Sequence, residues 1–265
     1  MCADDAVVRV RFRPERAAGR HSLDYYEHSL KAWRRQMRAP LAVAALMGLG
    51  GGVLVWLFAP VGHYLAAAFL GATEMLILCT RDSPPDFIAK WKRGGEGERR
   101  TGKVLARLER DGWRSFHHRE AKYGDLDHVV VGPGGVYLLD SKNLHGTLTV
   151  EPEGLTASYG DWPRDAYSFS RLAPTLKREA KNLKFRIADT TGVVEYVQSV
   201  VVVWGDFLPR DVEQDNVVYV RGDHLRDWLR ARPRRLADED SRLISAGLEA
   251  EIIIGSAPPL LGTSG

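Results

Sequence analysis

The chain has 265 residues, of which 45% are hydrophobic and 27% are charged, and this balance excludes a disordered protein and predicts a sizeable folded core. The formal net charge of +3 is mildly basic, so it permits an anionic partner such as nucleic acid or acidic lipid without requiring one. The two cysteines, Cys2 and Cys79, argue against a disulfide framework and favour a reducing compartment.

The N-terminal part of the chain is predicted to be a membrane hairpin. Residues 1–38 are polar and rich in arginine, and we interpret them as a basic cytoplasmic segment. Residues 39–80 contain the apolar runs LAVAALMGLGGGVLVWLFA and PVGHYLAAAFLGATEMLILCT. Each run has about the 20 residues that a membrane-spanning helix needs, so the region is either two tight spans or one long re-entrant feature. Pro60 and Gly62 are expected to form the turn between the two spans.

Basic residues flank the apolar runs on both sides, so the positive-inside rule places both chain ends in the cytoplasm. They are Lys31, Arg34, Arg35 and Arg38 before the hairpin, and Arg81, Lys90, Lys92 and Arg93 after it. We therefore expect a multi-pass protein of the cell membrane that contacts membrane lipid through residues 39–80. The alternative is a buried helical hairpin of a soluble protein, which the length and the charge asymmetry disfavour.

A folded domain is predicted at residues 96–236, after a linker at residues 81–95 that is interrupted by a proline pair and a glycine pair. The domain begins with an amphipathic helix in EGERRTGKVLARLER and a strand in WRSFHHREA. A hairpin in GDLDHVVVGPGGVYLLDSKN and a further turn in TLTVEPEGLTASY follow.

The second half of this domain is predicted to alternate helices and strands. A basic amphipathic helix covers residues 170–188 and is followed by the apolar strand SVVVVW. A strand at residues 216–220 and a short helix at residues 224–232 complete the domain. Residues 237–265 are predicted to be a partly disordered C-terminal tail.

The hairpin carries charged side chains at its open end. A two-residue loop at Pro133 and Gly134 pairs Asp127 with Asp140, and the alternation of side chains puts Lys142 on the same face. Opposed carboxylates repel each other, and a divalent cation removes this conflict, because Mg²⁺ prefers carboxylate oxygen ligands. The alternatives are a salt bridge between Lys142 and one aspartate, or a three-residue loop that breaks the pairing.

These motifs resemble those of a known family. GEGERR around Glu98, then GDLDHVVVGPGGVYLLDSKN, the basic helix and SVVVVW are similar to the NERD family, the nuclease-related domain of the PD-(D/E)xK restriction-endonuclease-like superfamily. The resemblance covers roughly residues 94–236. It implies an α/β fold, with an αβββαβ mixed sheet flanked by helices and preceded here by the two-helix transmembrane hairpin.

The resemblance also implies a site. Asp127 and Asp140 match the two acids of the motif, Lys142 matches its lysine, and Glu98 matches a helix-borne glutamate that joins the acidic cluster. Asp127, Asp140 and Glu98 are then the expected ligands of Mg²⁺ or Mn²⁺, and all four residues are the expected catalytic set. This sequence departs from the family pattern at one position, because Pro174 is followed three residues later by Lys177 where the family usually has glutamine.

Two functions are compatible with these patterns. The first is a membrane-anchored, metal-dependent nuclease that hydrolyses phosphodiester bonds in nucleic acid, with DNA as the expected substrate. The second is a non-catalytic module at the membrane that binds nucleic acid or another partner. In either case Lys177, Lys181 and Lys184 are candidates to contact phosphate groups, although a solvated helix face or lipid headgroups would account for the same charges.

Overall fold

The computed structural model describes residues 18–58, 62–121, 124–160 and 166–255, and the turn expected at Pro60 lies outside them. The chain divides into two compact units. One unit is Ser22–Lys92, and the other contains the remaining described residues. Each unit is considered separately below.

Two long helices dominate the smaller unit: α1, Arg20–Phe58, and α2, Gly62–Asp82. Both are long and apolar enough to cross a membrane, and only 11% and 6% of their most apolar stretches are buried. Large side chains such as Met47, Phe58 and Leu76 are exposed. This exposure favours the predicted membrane hairpin over a buried hairpin of a soluble core. The described end of the predicted basic segment, from Arg20 onward, and the first span belong to one continuous helix.

Glycines of α1 allow α2 to approach closely. A Cβ atom added at Gly48 would lie 2.3 Å from Cγ2 of Thr73, and one added at Gly52 would lie 3.0 Å from the Leu70 side chain. Small residues four positions apart are typical of helix pairs that pack within a membrane, where close backbone contact replaces the hydrophobic effect.

Helix α3, Asp86–Ala106, differs from the prediction at its start. The proline pair does separate it from α2, but the helix runs through Gly94 and Gly95, where a break was expected. Each helical glycine costs about 1 kcal/mol relative to alanine. Two of the glycines in this helix permit close packing, because a Cβ atom at Gly97 would lie 2.8 Å from Cβ of Asn143 and one at Gly102 would lie 2.6 Å from Cβ of Ala18.

The larger unit is built on a mixed eight-stranded sheet, which confirms the predicted α/β fold. The order β1-β2-β3-β6-β8-β7 combines antiparallel β1–β2–β3 and β7–β8 pairs with parallel β3–β6 and β6–β8 pairs, while β4 and β5 extend from β3. The strands are β1 Arg114–Ala121, β2 Gly124–Gly132, β3 Gly135–Glu151, β4 Gly154–Ser158, β5 Ala166–Ser168, β6 Val197–Phe207, β7 Asp211–Gln214 and β8 Val217–Arg221.

Helices cover both faces of the sheet. On one face, α4, Leu172–Thr191, and α6, Asp238–Gly255, share a core with Val129 and Leu138. On the other face, the end of α3 and the short helix α5, Leu225–Arg230, share a core that includes Leu139. The order α3-β1-β2-β3-α4-β6 therefore contains the αβββαβ arrangement expected from the sequence.

The predicted disordered tail is wrong over α6. Ile244 and Leu248 of this helix are 0% and 3% exposed and belong to the same core as α4, so the folded unit extends well past residue 236. The apolar stripe of α6 is short and lies among acidic residues, which hides its amphipathic character in the sequence. Residues 256–265 lie outside the described chain.

Candidate active site

The β2–β3 hairpin has the register predicted from a two-residue loop. Gly132 pairs with Gly135, Val129 pairs with Leu138, and the ladder continues to His128 and Leu139. Gly135 has a φ of +125°, a conformation that side chains with a Cβ atom rarely adopt, so glycine is needed after the loop. One further step along this register brings Asp127 opposite Asp140.

The two strands separate at that step. The backbone N–H of Ser141 donates to Oδ2 of Asp127 at 2.8 Å, so a carboxylate takes the position of a backbone acceptor. Strand β2 continues towards Gly124 as a partner of β1, while β3 stays paired with β6 on its opposite edge. We call residues 140–146 of β3 the notch. On the edge of β3 that pairs with β2 before this stretch and with β4 after it, these residues have no strand partner among the described residues.

Lys142 and Asp140 are in direct contact in the notch. The ammonium Nζ donates to Oδ1 of Asp140 at 2.9 Å and lies 2.6 Å from Oδ2, and the two side chains are 27% and 21% exposed. Oδ2 is within ion-pair distance but accepts no hydrogen bond of suitable geometry. The salt bridge offered as an alternative by the sequence is therefore formed, and the ammonium group lies within 3 Å of both oxygens of Asp140.

Several acids act on one another at this site. Burial raises the pKa of Asp127, the charges of Asp140 and Glu98 raise it further, and the attraction of Lys142 and the Ser141 hydrogen bond oppose them without restoring its usual value. Burial would lower the pKa of Lys142, but the charges of Asp140, Asp127 and Glu98 outweigh this effect and raise it. Glu98, Asp127, Asp140 and Lys142 thus lie close enough to interact, and the ammonium group is held in its charged form.

The donor set fits a small divalent cation bound by two carboxylates. Mg²⁺ commonly uses one or two carboxylates and keeps several water molecules. Asp140 and Asp127 both present carboxylate oxygens here, and burial with the neighbouring acids, which raises the pKa of Asp127, makes a nearby positive charge favourable. Within the described part of the chain, no group of three or more His, Cys, Asp or Glu side chains is arranged to hold a metal ion, so Glu98 is not already placed as a third ligand.

The three predicted phosphate-contacting lysines lie on α4, which packs on the face of the sheet that bears the acids. Leu176 and Leu183 face this core, and the lysines occupy other positions around the helix. Lys177 forms an ion pair with Asp215, and Nζ of Lys181 lies 5.9 Å from the centre of the Phe185 ring. Lys184 is partly buried. The structure does not bring these lysines into contact with the four-residue site.

Sequence reasoning missed a polar network on the opposite face of β3. Thr101 of α3 is fully buried and receives hydrogen bonds from Ser141 Oγ and from Trp204 Nε1. The position of Ser141 between the acid and the lysine of the motif showed that it faces away from them, but its partner is 40 residues distant in the chain. Glu179, a buried acid of α4, was also missed, although helical spacing from Leu176 and Leu183 puts it on the inner face.

The histidines of β1 and β2 form a buried pair. Nδ1 of His117 lies 2.6 Å from Nδ1 of His128, and Ser115 Oγ lies 3.3 Å from the Nε2 atom of His117. Burial lowers the pKa of His117 to about 4, and burial together with the neighbouring His117 lowers that of His128. Both imidazoles are therefore neutral at pH 7.

The four site residues lie at an edge of β3 and do not line the cavity found near this strand. A cavity of about 260 Å³ lies at the other end of β3, next to the β2–β3 turn, and its lining includes Tyr137, Glu195, Trp228 and Arg232 but none of the four site residues.

Comparison with known proteins gives one positive result. A family model described as the nuclease-related domain, NERD, matches residues 93–204, a span from the helix that carries Glu98 to the end of the apolar part of β6. No curated protein and no solved structure matches the chain. The matched span contains Glu98, Asp127, Asp140 and Lys142 and also the Thr101–Ser141–Trp204 network.

Proposed function

Because residues 93–204 are a nuclease-related domain of the NERD family, we propose that this protein is a membrane-anchored nuclease that hydrolyses phosphodiester bonds with Mg²⁺ or Mn²⁺. DNA is the expected substrate. One observation carries the proposal: Asp127 and Asp140 converge where β2 leaves β3, with the Lys142 ammonium bonded to Asp140. This combination of paired acids and a lysine is the one that the PD-(D/E)xK pattern requires.

The acidic side chains would hold the cation. Asp127 and Asp140 would provide direct oxygen ligands, and Glu98 would add negative charge to the site and act through bound water. A bound dication supplies polarisation of the phosphate and a water molecule of lowered pKa. Burial of the two aspartates limits the competing solvation of their charges, so the attraction for a dication is strong.

Lys142 would stabilise negative charge on the phosphate during the reaction. Its pKa is raised by Asp140 and Asp127 against the effect of burial, which keeps the side chain protonated at neutral pH. A protonated ammonium group that is fixed by Asp140 acts as a preorganised positive charge and can also orient a water molecule through its other N–H groups. Lysine at this position is therefore assigned a charge-stabilising role.

The two long helices α1 and α2 would anchor the enzyme in the cell membrane. Their length, apolar composition and exposure support this proposal, and the basic residues on both flanks support a cytoplasmic location for both chain ends. A cytoplasmic domain has access to nucleic acid. The basic side chains of α4, Lys177, Lys181 and Lys184, would contact backbone phosphates of the bound nucleic acid.

Cleavage by the full-length protein in detergent tests the proposal. We expect supercoiled plasmid to be nicked in the presence of Mg²⁺ or Mn²⁺ and to remain intact when the metal is chelated, since the chain's own groups supply no substitute for the dication. Single-stranded DNA and RNA of matched length, assayed in parallel, define the preferred polymer. Cleavage that persists with chelator, or no cleavage of any of the three polymers with either metal, would contradict the proposal.

A non-catalytic nucleic-acid-binding module is the second candidate. It is favoured by the ion pair between Lys142 and Asp140, which partly compensates the acids without any metal, and by the lysine at position 177 in place of the usual glutamine. The same assay separates the two functions. DNA binding that weakens steeply with salt but is never accompanied by cleavage would support the binding module.

A further inference from the structure

We propose that Thr101 is a positioning residue of this site, which fixes α3 against β3 and thereby sets the distance of Glu98 from Asp127 and Asp140. The inference rests on the proposed nuclease function and deepens it. Thr101 would not touch substrate or metal. It would act through the helix that carries Glu98, which it holds against the strand that carries Asp140 and Lys142.

One buried hydroxyl group joins three elements. Thr101 is 0% exposed, and its Oγ1 accepts hydrogen bonds from Ser141 Oγ of β3 at 2.8 Å and from Trp204 Nε1 of β6 at 2.9 Å. Ser141 also donates its backbone N–H to Asp127 at 2.8 Å. The hydrogen-bonded connection therefore runs from α3 through the residue between Asp140 and Lys142 to the Asp127 carboxylate.

A second contact holds the same helix one to two turns earlier. The side chain of Asn143 donates from Nδ2 to the Arg93 carbonyl oxygen at 2.9 Å, and a Cβ atom at Gly97 would lie 2.8 Å from Cβ of Asn143. Glu98 lies between these two attachment points. Glu98 and Thr101 are three residues apart on the helix, so they are neighbours along its surface.

The polar character of this contact requires an explanation beyond packing. Leu105 and Leu108 already attach α3 to the sheet through the apolar core, at 1% and 0% exposure. Hydrogen bonds add direction to such a contact, because they are lost when the partners shift by a fraction of an ångström. Catalytic groups need that accuracy, and a displacement of about 1 Å can reduce a rate by about a hundredfold.

The test compares Thr101→Val with Thr101→Ser in the full-length protein. Valine keeps the shape and removes the acceptor, whereas serine keeps the hydroxyl group. We expect Thr101→Val to lower kcat for Mg²⁺-dependent DNA cleavage by about tenfold to a hundredfold, with little change in KM. Thr101→Ser is expected to retain most of the native kcat. Gly97→Ala provides a second route to the same displacement, because it favours the helix but pushes it away from Asn143.

A double-mutant cycle with Glu98→Gln distinguishes positioning from a general loss of structure. If Thr101 acts through Glu98, Thr101→Val causes no further loss of kcat when Glu98 is already glutamine. Additive losses, or a Thr101→Ser protein as impaired as Thr101→Val, would overturn this inference alone while the native protein remains active. A native chain that neither binds Mn²⁺ nor cleaves nucleic acid would overturn the proposed function and this inference with it.

Discussion

The Lys142→Met protein is expected to cleave DNA about a thousandfold more slowly than the native chain, which is the size of effect seen when a preorganised stabilising charge is removed from an active site. The ammonium group lies 2.6 Å from Asp140 Oδ2, and its raised pKa keeps it charged. Methionine preserves the length of the side chain but provides neither a charge nor an N–H donor. Single-turnover rates with saturating Mg²⁺ give the measurement.

Two further variants serve as controls for this result. Lys103→Met removes an exposed lysine from α3 and should leave the single-turnover rate within a few-fold of native, because that side chain lies on the solvent side of the helix. Lys142→Arg keeps the charge and should retain more activity than Lys142→Met if the role is electrostatic. Equal and near-native rates in all three proteins would show that Lys142 takes no part in cleavage.

The buried histidine pair is expected to make the sheet strongly sensitive to acid. The pKa of His117 falls from 6.5 to about 4 on folding, so the unfolded chain binds a proton that the folded chain excludes between these values. The stability is therefore fully present above about pH 6.5, decreases as the pH falls to about 4, and then levels off, with a total loss of about 3 kcal/mol from this residue. His128, which is also buried and has a lowered pKa, adds to the effect.

Urea unfolding of the full-length protein in detergent at pH 7 and pH 4.5 measures this loss. The double variant His117→Leu with His128→Leu removes both titrating groups and keeps the side-chain volume similar, so its stability should change less between the two pH values. Acidic residues contribute to the pH dependence of both proteins, and for this reason the comparison is between them. An identical change in the native and double-variant proteins would show that the imidazole pair is not the acid-sensitive element.

The hairpin and its charged end could be predicted from the sequence because both depend on local rules. Side-chain alternation and a two-residue loop determine which face Asp127, Asp140 and Lys142 occupy, and the register from Gly132–Gly135 to His128–Leu139 agrees with that prediction. The contact between Lys142 and Asp140 follows from their spacing of two residues along one strand. The family resemblance then identified the helix that brings Glu98 to the same site.

Other features depend on contacts between distant segments and could not be predicted. Gly94 and Gly95 are unfavourable in a helix, yet α3 continues through them and uses Gly97 to approach Asn143. The bond between Thr101 and Trp204 joins residues 103 positions apart, and no periodicity in the sequence indicates it. Helix α6 is held in place because Ile244 and Leu248 meet the core beside α4. In each case tertiary packing overrides or supplements the local preference.

The divergence of β2 from β3 is the reason that the Asp127 carboxylate lies beside Asp140. A continuous ladder would have satisfied the Ser141 N–H group with a backbone carbonyl, whereas here Asp127 supplies the acceptor and its charge is kept beside Asp140. Burial and two neighbouring acids raise the pKa of Asp127, so the negative charge of this carboxylate is disfavoured where it lies. A bound cation would offset this effect, and for this reason we propose a metal site here.

Calorimetric titration of the full-length protein with Mn²⁺ at neutral pH is the most direct test of whether the acidic site binds a dication. The matched proteins are the native chain, Asp140→Asn, and Glu249→Gln, which alters an exposed acid of α6. We expect saturable uptake by the native and Glu249→Gln proteins and its loss in Asp140→Asn, where the pair of charged ligands is broken. Absence of uptake by the native protein, or unchanged uptake by Asp140→Asn, would contradict this expectation.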